Sequence, residues 1–433
     1  MGSKTDSADN YEEDLRKSKF ETIVHEVNHV ISEIETAVSN LKSWTKPTNV
    51  TRYILQATDS AYTIKEPLGV VLIIGAWNFP IELLLGPLVG ALAAGNCVLL
   101  KPSEVAQATE QLVVELVGKY FDPGVVKTVH GDHVQTSQIL KLPFNLIFYT
   151  GSTEVGKIVM KAAAEHLTPC VLELGGKCPV TVDDGFDLAL AAKRIMWGKL
   201  INSGQVCVAP DYCIVVGNND RRDQFTAECV KSILEFYGND PINSEDYGRI
   251  INQKHFDRIS NMLKATNGKV IHGGKTDREQ LFIHPTVIEI NDENDSTMKE
   301  EIFGPILPVL QLPSLDDAVK LIKKRDTPLA SYLFTDSKKS IERFQTETSS
   351  GVLTINDTIM QMSLDTLPFG GVGKSGFGSY HGYFSFKAFT HEKAVLHRTS
   401  GFEKLLFMRY PPFAKTDKLT WANRLTSKIR LPL

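Results

Sequence analysis

No stretch of this chain is apolar over the roughly 18–20 residues that a membrane-spanning helix needs. The N-terminus lacks an apolar signal core; residues 1–12 are small, polar and acidic, and read as disordered. The six cysteines (Cys97, Cys170, Cys178, Cys207, Cys213 and Cys229) include no CxxC pair and no Cys/His metal-ligand pattern. In a chain this long that usage reads as free thiols in a reducing compartment, so a cytoplasmic location is expected. There is no excess of positive charge: the formal net charge is −4, which gives no global field for nucleic acid. Internal repeats and low-complexity linkers are also missing.

What is present is ordinary globular material. The 433 residues suggest two or three domains, and 42% apolar with 23% charged residues suffices for a large core. Ile23, Val27, Val30, Ile34, Val38 and Leu41 recur at helical spacing, predicting one long amphipathic helix over about 13–44. Residues 45–66 are expected to form a strand pair. From residue 67 apolar runs of strand length alternate with helical segments. Val70–Ile74 reads as a strand buried on both faces, followed by an apolar helix to about Ala94 and a second strand from Cys97. The alternation continues through Leu146–Tyr149, a helix to about His166 and the strand Val171–Leu174, and a second series follows to residue 355. The expected fold class is therefore α/β: two lobes joined near 173–177.

Several runs carry candidate chemistry. Gly151-Ser152-Thr153-Glu154-Val155-Gly156 lies between a strand and a helix, where free N–H groups and the helix dipole favour phosphate; it is neither GxGxxG nor a P-loop, and a plain tight turn explains it as well. Lys101-Pro102-Ser103-Glu104 follows a strand, where ligands bind in open α/β sheets. Lys101 and Glu104 suit ribose hydroxyls, or form a solvated loop. Asn78 is either a helix N-cap or an amide aimed at a developing oxyanion, and Pro80 suits a first helical position. Cys207 stands in the small, polar frame Asn202-Ser203-Gly204-Gln205-Val206-Cys207, and reacts only with a lowered pKa or a nearby base. The other five cysteines read as buried and inert. Glu173, at a strand end before two glycines, is an improbable core filler. Glu301 and Phe303, two apart, project to one side if the chain is extended; an acidic loop is the alternative.

Taken together, Trp77-Asn78-Phe79-Pro80, KPSE 101–104, GSTEVGK 151–157, ELGGK 173–177, GQVC 204–207, EEIFGP 300–305 and Leu367–Gly373 resemble the aldehyde dehydrogenase superfamily. Ala209–Tyr212, Gly376–Gly382 and Arg409–Pro412 resemble its class 3 branch, which acts on fatty and aromatic aldehydes. The resemblance covers about residues 18–412. It implies a Rossmann-like NAD(P)-binding domain (1–50 and 67–172), a catalytic domain (173–378), bridging segments for a homodimer (51–66 and 379–400) and a C-terminal tail (401–433). It further implies Cys207 as nucleophile, Asn78 with the Cys207 N–H as oxyanion hole, and Glu173 as general base. Glu301 binds the nicotinamide ribose, Phe303 packs near the nicotinamide, Lys101 and Glu104 address the adenosine ribose, and Gly151, Ser152 and Gly156 form the pyrophosphate turn. The implied cofactor is NAD, with NADP also accepted, and the substrate is a small-molecule aldehyde.

Against that pattern the chain lacks a helix pair before 13–44, which is expected to expose apolar surface, and an apolar C-terminal anchor helix. Its last residues, 415–433, carry five basic side chains against Asp417. Such a tail suits peripheral contact with an anionic membrane such as the endoplasmic reticulum; a solvated tail is the alternative. Two other functions compete: an inactive relative serving as a structural or partner protein, and an acylating relative that passes its thioester to an acceptor other than water.

Overall fold

The computed structural model describes residues 14–53 and 56–401, together with 403, 407, 409–413 and 418–420. The acidic leader 1–12 and nearly all of the basic tail lie outside the described residues.

Two largely parallel sheets dominate, as the alternating pattern predicts. The first has six strands in the order Gly376–Phe377, Cys170–Leu174, Leu146–Gly151, Val70–Ile74, Cys97–Lys101, Val126–Thr128. All its pairings are parallel except that of Gly376–Phe377. The second has seven strands in the order Lys269–His272, Thr286–Ile290, Ile306–Leu312, Tyr212–Val216, Pro179–Val182, Ala330–Phe334, Val352–Ile355. Only its first pairing is antiparallel. The continuous apolar runs are explained by burial on both faces: Val71, Leu72 and Ile73 are fully buried. Each such side chain contributes about 1.5–3 kcal/mol of transfer free energy. One apolar cluster runs through both sheets, from Val71 and Phe148 to Val180, Val309 and Tyr332.

The helices start where side chains can cap them. Ser152 accepts from the Val155 N–H ahead of helix Thr153–Ala164, and Asn252 accepts from the His255 N–H ahead of helix Gln253–Ala265.

The long helix predicted over 13–44 runs without a gap from Lys19 to Trp44, starting later than predicted. It comprises Lys19–Thr22, a π-helical turn Ile23–Val27 and the α-helix Asn28–Trp44. Residues 14–18 approach it irregularly, because Asp14 and Lys17 are tied to other parts of the chain: Asp14 accepts from Thr109, and Lys17 pairs with Glu26. Helix Asn28–Trp44 leaves Ile34, Val38 and Leu41 exposed along one side. The expected strand pair within 45–66 is Thr48–Asn49 against Ser60–Pro67. The second of these pairs over eight residues with Thr390–His397 in a separate three-stranded sheet. The edge strand Lys269–His272, the strand Thr286–Ile290 and the strand Pro179–Val182 are short runs of four or five residues that the sequence pattern does not predict.

Candidate active site

Cys207 follows a loop whose backbone is forced out of the common regions. Asn202, Ser203 and Gly204 have φ of 49°, 52° and 77°. Two consecutive non-glycine residues in the left-handed region carry strain that surrounding bonds must hold. Gly204 is required in this path, since a Cβ there would lie 2.3 Å from the Gly304 oxygen. Gln205 holds the loop from a fully buried position. Its Nε2 donates to the Asn202 and Arg249 oxygens at 3.0 and 2.9 Å, and its Oε1 accepts from the Ile251 N–H at 3.0 Å. The small, polar frame seen in the sequence thus places a thiol at the end of a tied, strained turn.

A cavity of about 390 Å³ opens in front of that thiol, lined by Asn78, Glu173, Cys207, Glu301 and Phe303 together with Trp77. Asn78 is not the cap that one reading allowed: helix Glu82–Ala93 begins beyond it, with Ile81 at the N-cap and Pro80 in the preceding turn. Instead the Asn78 amide Nδ2 donates to the Gln205 oxygen at 3.0 Å, while its own backbone oxygen accepts from Lys17 Nζ and Asn202 Nδ2 at 2.8 and 2.9 Å. Glu173 ends its strand beside Thr150 and Gly376. Both of its carboxyl oxygens are buried with no hydrogen-bond partner among the described residues.

The electrostatics favour neutral groups. Burial pushes the Glu173 carboxyl well above its usual range, and the charge of Glu82 adds to this. Burial also raises the Cys207 thiol, reinforced by Glu301, Glu173 and Glu82, while its own backbone N–H pulls the other way. Glu301 is raised to about 8 by burial and Asp211, opposed by the Gly176 N–H, Lys177 and Arg258. Titratable groups shifted this strongly around one cleft are typical of a reactive site.

The expectation that Glu301 and Phe303 project together from an extended chain is corrected. Phe303 has φ 47°, so the chain turns between them. Glu301 lies over Gly175, where a Cβ would come 2.3 Å from its carboxylate, and the Phe303 ring meets Trp77 edge to face at 5.4 Å. Gly151 and Ser152 line the same cavity. Gly156 does not: a Cβ there would strike Leu174 at 2.8 Å, so it serves close helix–strand packing. Lys101 and Glu104 also lie off the cavity lining. Lys101 is nearly fully buried and donates to the Pro102 oxygen at 2.6 Å and to Glu104 at 2.8 Å.

Two residues that the motif reading left without a role fasten the Glu301 loop to the start of the second lobe. Lys177 pairs with Asp211 and donates to the Thr297 and Glu300 oxygens at 2.6 and 3.0 Å. The other Asp211 oxygen accepts from the Ile302 N–H at 2.8 Å. The signal was present, because Lys177 ends ELGGK and Asp211 sits in Ala-Pro-Asp-Tyr. The cysteine reading also needs adjustment: Cys178, Cys213 and Cys229 are buried, but Cys97 is exposed and Cys170 only partly covered.

A carboxylate over a glycine turn, an aromatic ring beside it and an open helix start suit a dinucleotide, and a thiol and a carboxyl face that groove. Such a fold and site define an oxidoreductase that works on a substrate carbonyl beside a nicotinamide cofactor. A sequence model of the "Aldehyde dehydrogenase family" matches residues 5–395, and the chain belongs to that family. It is 47% identical over 400 residues to aldehyde dehydrogenase family 3 member B1 of Bos taurus, covering 92% of this chain and 85% of that one. It is 46% identical over 398 residues to the mouse protein named "Aldehyde dehydrogenase, dimeric NADP-preferring", covering 92% and 87%. Among solved structures, a substrate-bound AldH of Staphylococcus aureus superposes with a TM-score of 0.94 at 39% identity, covering 98% of this chain and 91% of that one. The resemblance to the class 3 branch is met, and the protein is an NAD(P)-dependent enzyme that oxidises aldehydes. Among the described residues no helix is long and apolar enough to cross a membrane.

Proposed function

We propose that this enzyme oxidises medium- or long-chain aliphatic or aromatic aldehydes to carboxylic acids through a covalent intermediate on Cys207. The observation that carries this reading is the meeting of Cys207, Asn78, Glu173, Glu301 and Phe303 around one cavity. The Trp77, Leu83 and Phe303 side chains in its lining favour an apolar or aromatic substrate body.

Cys207 Sγ adds to the aldehyde carbon, and the negative charge that develops on oxygen is met by the Asn78 amide and the Cys207 N–H. NAD(P)⁺, when bound, supplies the acceptor for the hydride that leaves this carbon. Glu301 and Phe303 would hold its nicotinamide end, Gly151 and Ser152 its pyrophosphate, and Lys101 and Glu104 its adenosine ribose. Hydride loss leaves a thioester on Cys207. Glu173 takes a proton from water as the water oxygen bonds to the acyl carbon, and the C–S bond breaks. Burial raises both Cys207 and Glu173, so each must give up its proton before it acts, and turnover should rise with pH.

We further propose that the domain boundaries follow the two sheets and that the chain works as a homodimer in the cytoplasm. The three-stranded sheet supports the dimer, since Thr390–His397 forms its edge with no further strand bonded to it among the described residues. Turnover of long-chain and aromatic aldehydes with NAD and with NADP, followed by reduced-cofactor absorbance in wild type and Cys207→Ser, tests the reading. A folded, cofactor-binding wild type without turnover would favour the inactive-relative alternative.

A further inference from the structure

Glu173 is not the only buried polar group here without a partner. The Tyr380 hydroxyl and Nε2 of His381 are also buried with no hydrogen-bond partner among the described residues. Tyr380, His381 and Glu173 are 1%, 2% and 3% exposed, so water reaches none of them freely. Buried polar atoms of this kind call for an explanation, and a chain of internal waters is a common one. The three belong to one neighbourhood. Gly376 pairs with Glu173 across the sheet, and the turn that follows carries Tyr380 and His381. The Tyr380 ring packs edge to face on Phe148 at 5.2 Å, from the strand next to that of Glu173. Tyr380 and His381 stand perpendicular with ring centroids 4.4 Å apart, and His381 faces His29 at 6.3 Å. His29 is partly exposed on helix Asn28–Trp44.

His381 is held there under strain, at φ 80°. Ser385 Oγ accepts from its N–H at 2.8 Å, and Glu33 accepts from the Gly382 N–H at 2.9 Å. Helix Glu82–Ala93 packs against helix Gly382–Ala388, where Gly90 lies against Ser385, and its first residue, Glu82, is 7% exposed. Its charge acts on Glu173, on Cys207 and on the Tyr380 phenol.

We infer that Glu82, Tyr380, His381 and His29 form a buried proton-exit path leading from Glu173 to the surface. This rests on Glu173 being the base proposed above. During thioester hydrolysis the O–C bond forms, the C–S bond breaks, and the proton from water is left on Glu173. That proton must leave before the next turnover, while the cavity mouth holds substrate and cofactor. The route behind Glu173 carries it as a proton only, with no electron transfer: each group accepts one on one side and releases one on the other, and solvent receives it beyond His29.

The groups around Glu82 suit this role. Burial raises its carboxyl to about 8, the charges of Glu26 and Glu33 add to that, and Lys17 opposes them. Two carboxyls facing one apolar region, Glu173 and Glu82, disfavour a double charge and titrate as a coupled pair. Burial holds His29 and His381 below the usual histidine range, so both are neutral carriers at pH 7.

The test uses p-nitrophenyl acetate with saturating NAD, which the ester does not reduce and which keeps the mouth filled, so that the burst reports acylation of Cys207 and the steady state reports deacylation. In Glu82→Gln and Tyr380→Phe the burst should persist while deacylation slows on the order of 10²-fold, the low end for a lost proton-transfer group. The ascending pH limb of deacylation in Glu82→Gln should move to lower pH by about one unit, because the like charge beside Glu173 is gone. Added imidazole should restore the lost rate in both variants. If Glu82→Gln loses the burst, Tyr380→Phe decides, since it removes one oxygen from a ring otherwise packed in place. Wild-type deacylation in both variants, or slowing without rescue and without a moved limb, would overturn the path. Glu173→Gln is run alongside: wild-type deacylation there sinks the base assignment itself, a different failure.

Discussion

Replacing Asn78 by alanine should separate catalysis from stability. The amide makes one hydrogen bond in the resting enzyme, from Nδ2 to the Gln205 oxygen at 3.0 Å. That oxygen also accepts from Asn202 Nδ2 at 3.2 Å, so it keeps a partner in the variant. The backbone bonds from Lys17 and Asn202 to the Asn78 oxygen do not involve the side chain. The folding cost is therefore that of one neutral hydrogen bond, about 0.5–1.5 kcal/mol. The catalytic cost is larger if the amide meets the oxyanion: removing one such donor raises the barrier by about 2.7–4 kcal/mol, or roughly 10²–10³ in kcat. Steady-state kinetics would show kcat falling by that factor with little change in KM for cofactor, while denaturant melts shift only slightly. A variant that turns over within threefold of wild type, or one whose activity is lost only in step with unfolding, would refute the assignment.

Other outcomes follow from the same geometry. Asp211→Ala removes the partner of buried Lys177 and the acceptor for the Ile302 N–H, so stability should drop by about 3–5 kcal/mol and KM for NAD should rise as the Glu301 loop loosens; an unchanged melt and KM would contradict this. Glu21 and Glu33 are raised to about 7, and Glu82 and Glu301 to about 8, all first by burial. The folded state therefore holds protons that the unfolded chain has already released, which makes stability fall with rising pH. Burial depresses His25 and His255 to about 4 and His381 to about 3, which acts in the opposite direction only below the unfolded histidine value of 6.5. Between pH 6.5 and 8 the carboxyls act alone among these groups, so Tm should decline across that window, and a Tm that climbs there would be inconsistent with the burial described. Glu104→Gln should raise kcat/KM for NADP relative to NAD, because it removes a negative charge beside Lys101; an unchanged ratio would detach Glu104 from the ribose.

The sequence revealed the alternating strands and helices because parallel strands buried on both faces are written as continuous apolar runs. It also pointed to the thiol and carboxyl that the structure brings to one cavity, Cys207 and Glu173, because such groups framed by glycines have little use as core filler. Its failures came where side chains far apart in sequence decide the local path. The helix predicted from residue 13 begins only at Lys19, because Asp14 and Lys17 before it are held by Thr109 and Glu26. Phe303 turns away from the extended conformation where Arg258 and Asp211 grip the backbone around it. Glu82 looked like part of an apolar helix, and nothing in its neighbours along the chain signals the carboxyl of Glu173.

The central claim is a covalent acyl group on Cys207 that Glu173 helps to release. Mass spectrometry of the Glu173→Gln enzyme, quenched during turnover with aldehyde and NAD, tests it most directly. The account predicts an acyl mass increment on the peptide carrying Cys207, absent in Glu173→Gln/Cys207→Ser. An increment on Cys178 or another residue, or a quenched enzyme that turns over yet carries no acyl group, would contradict it.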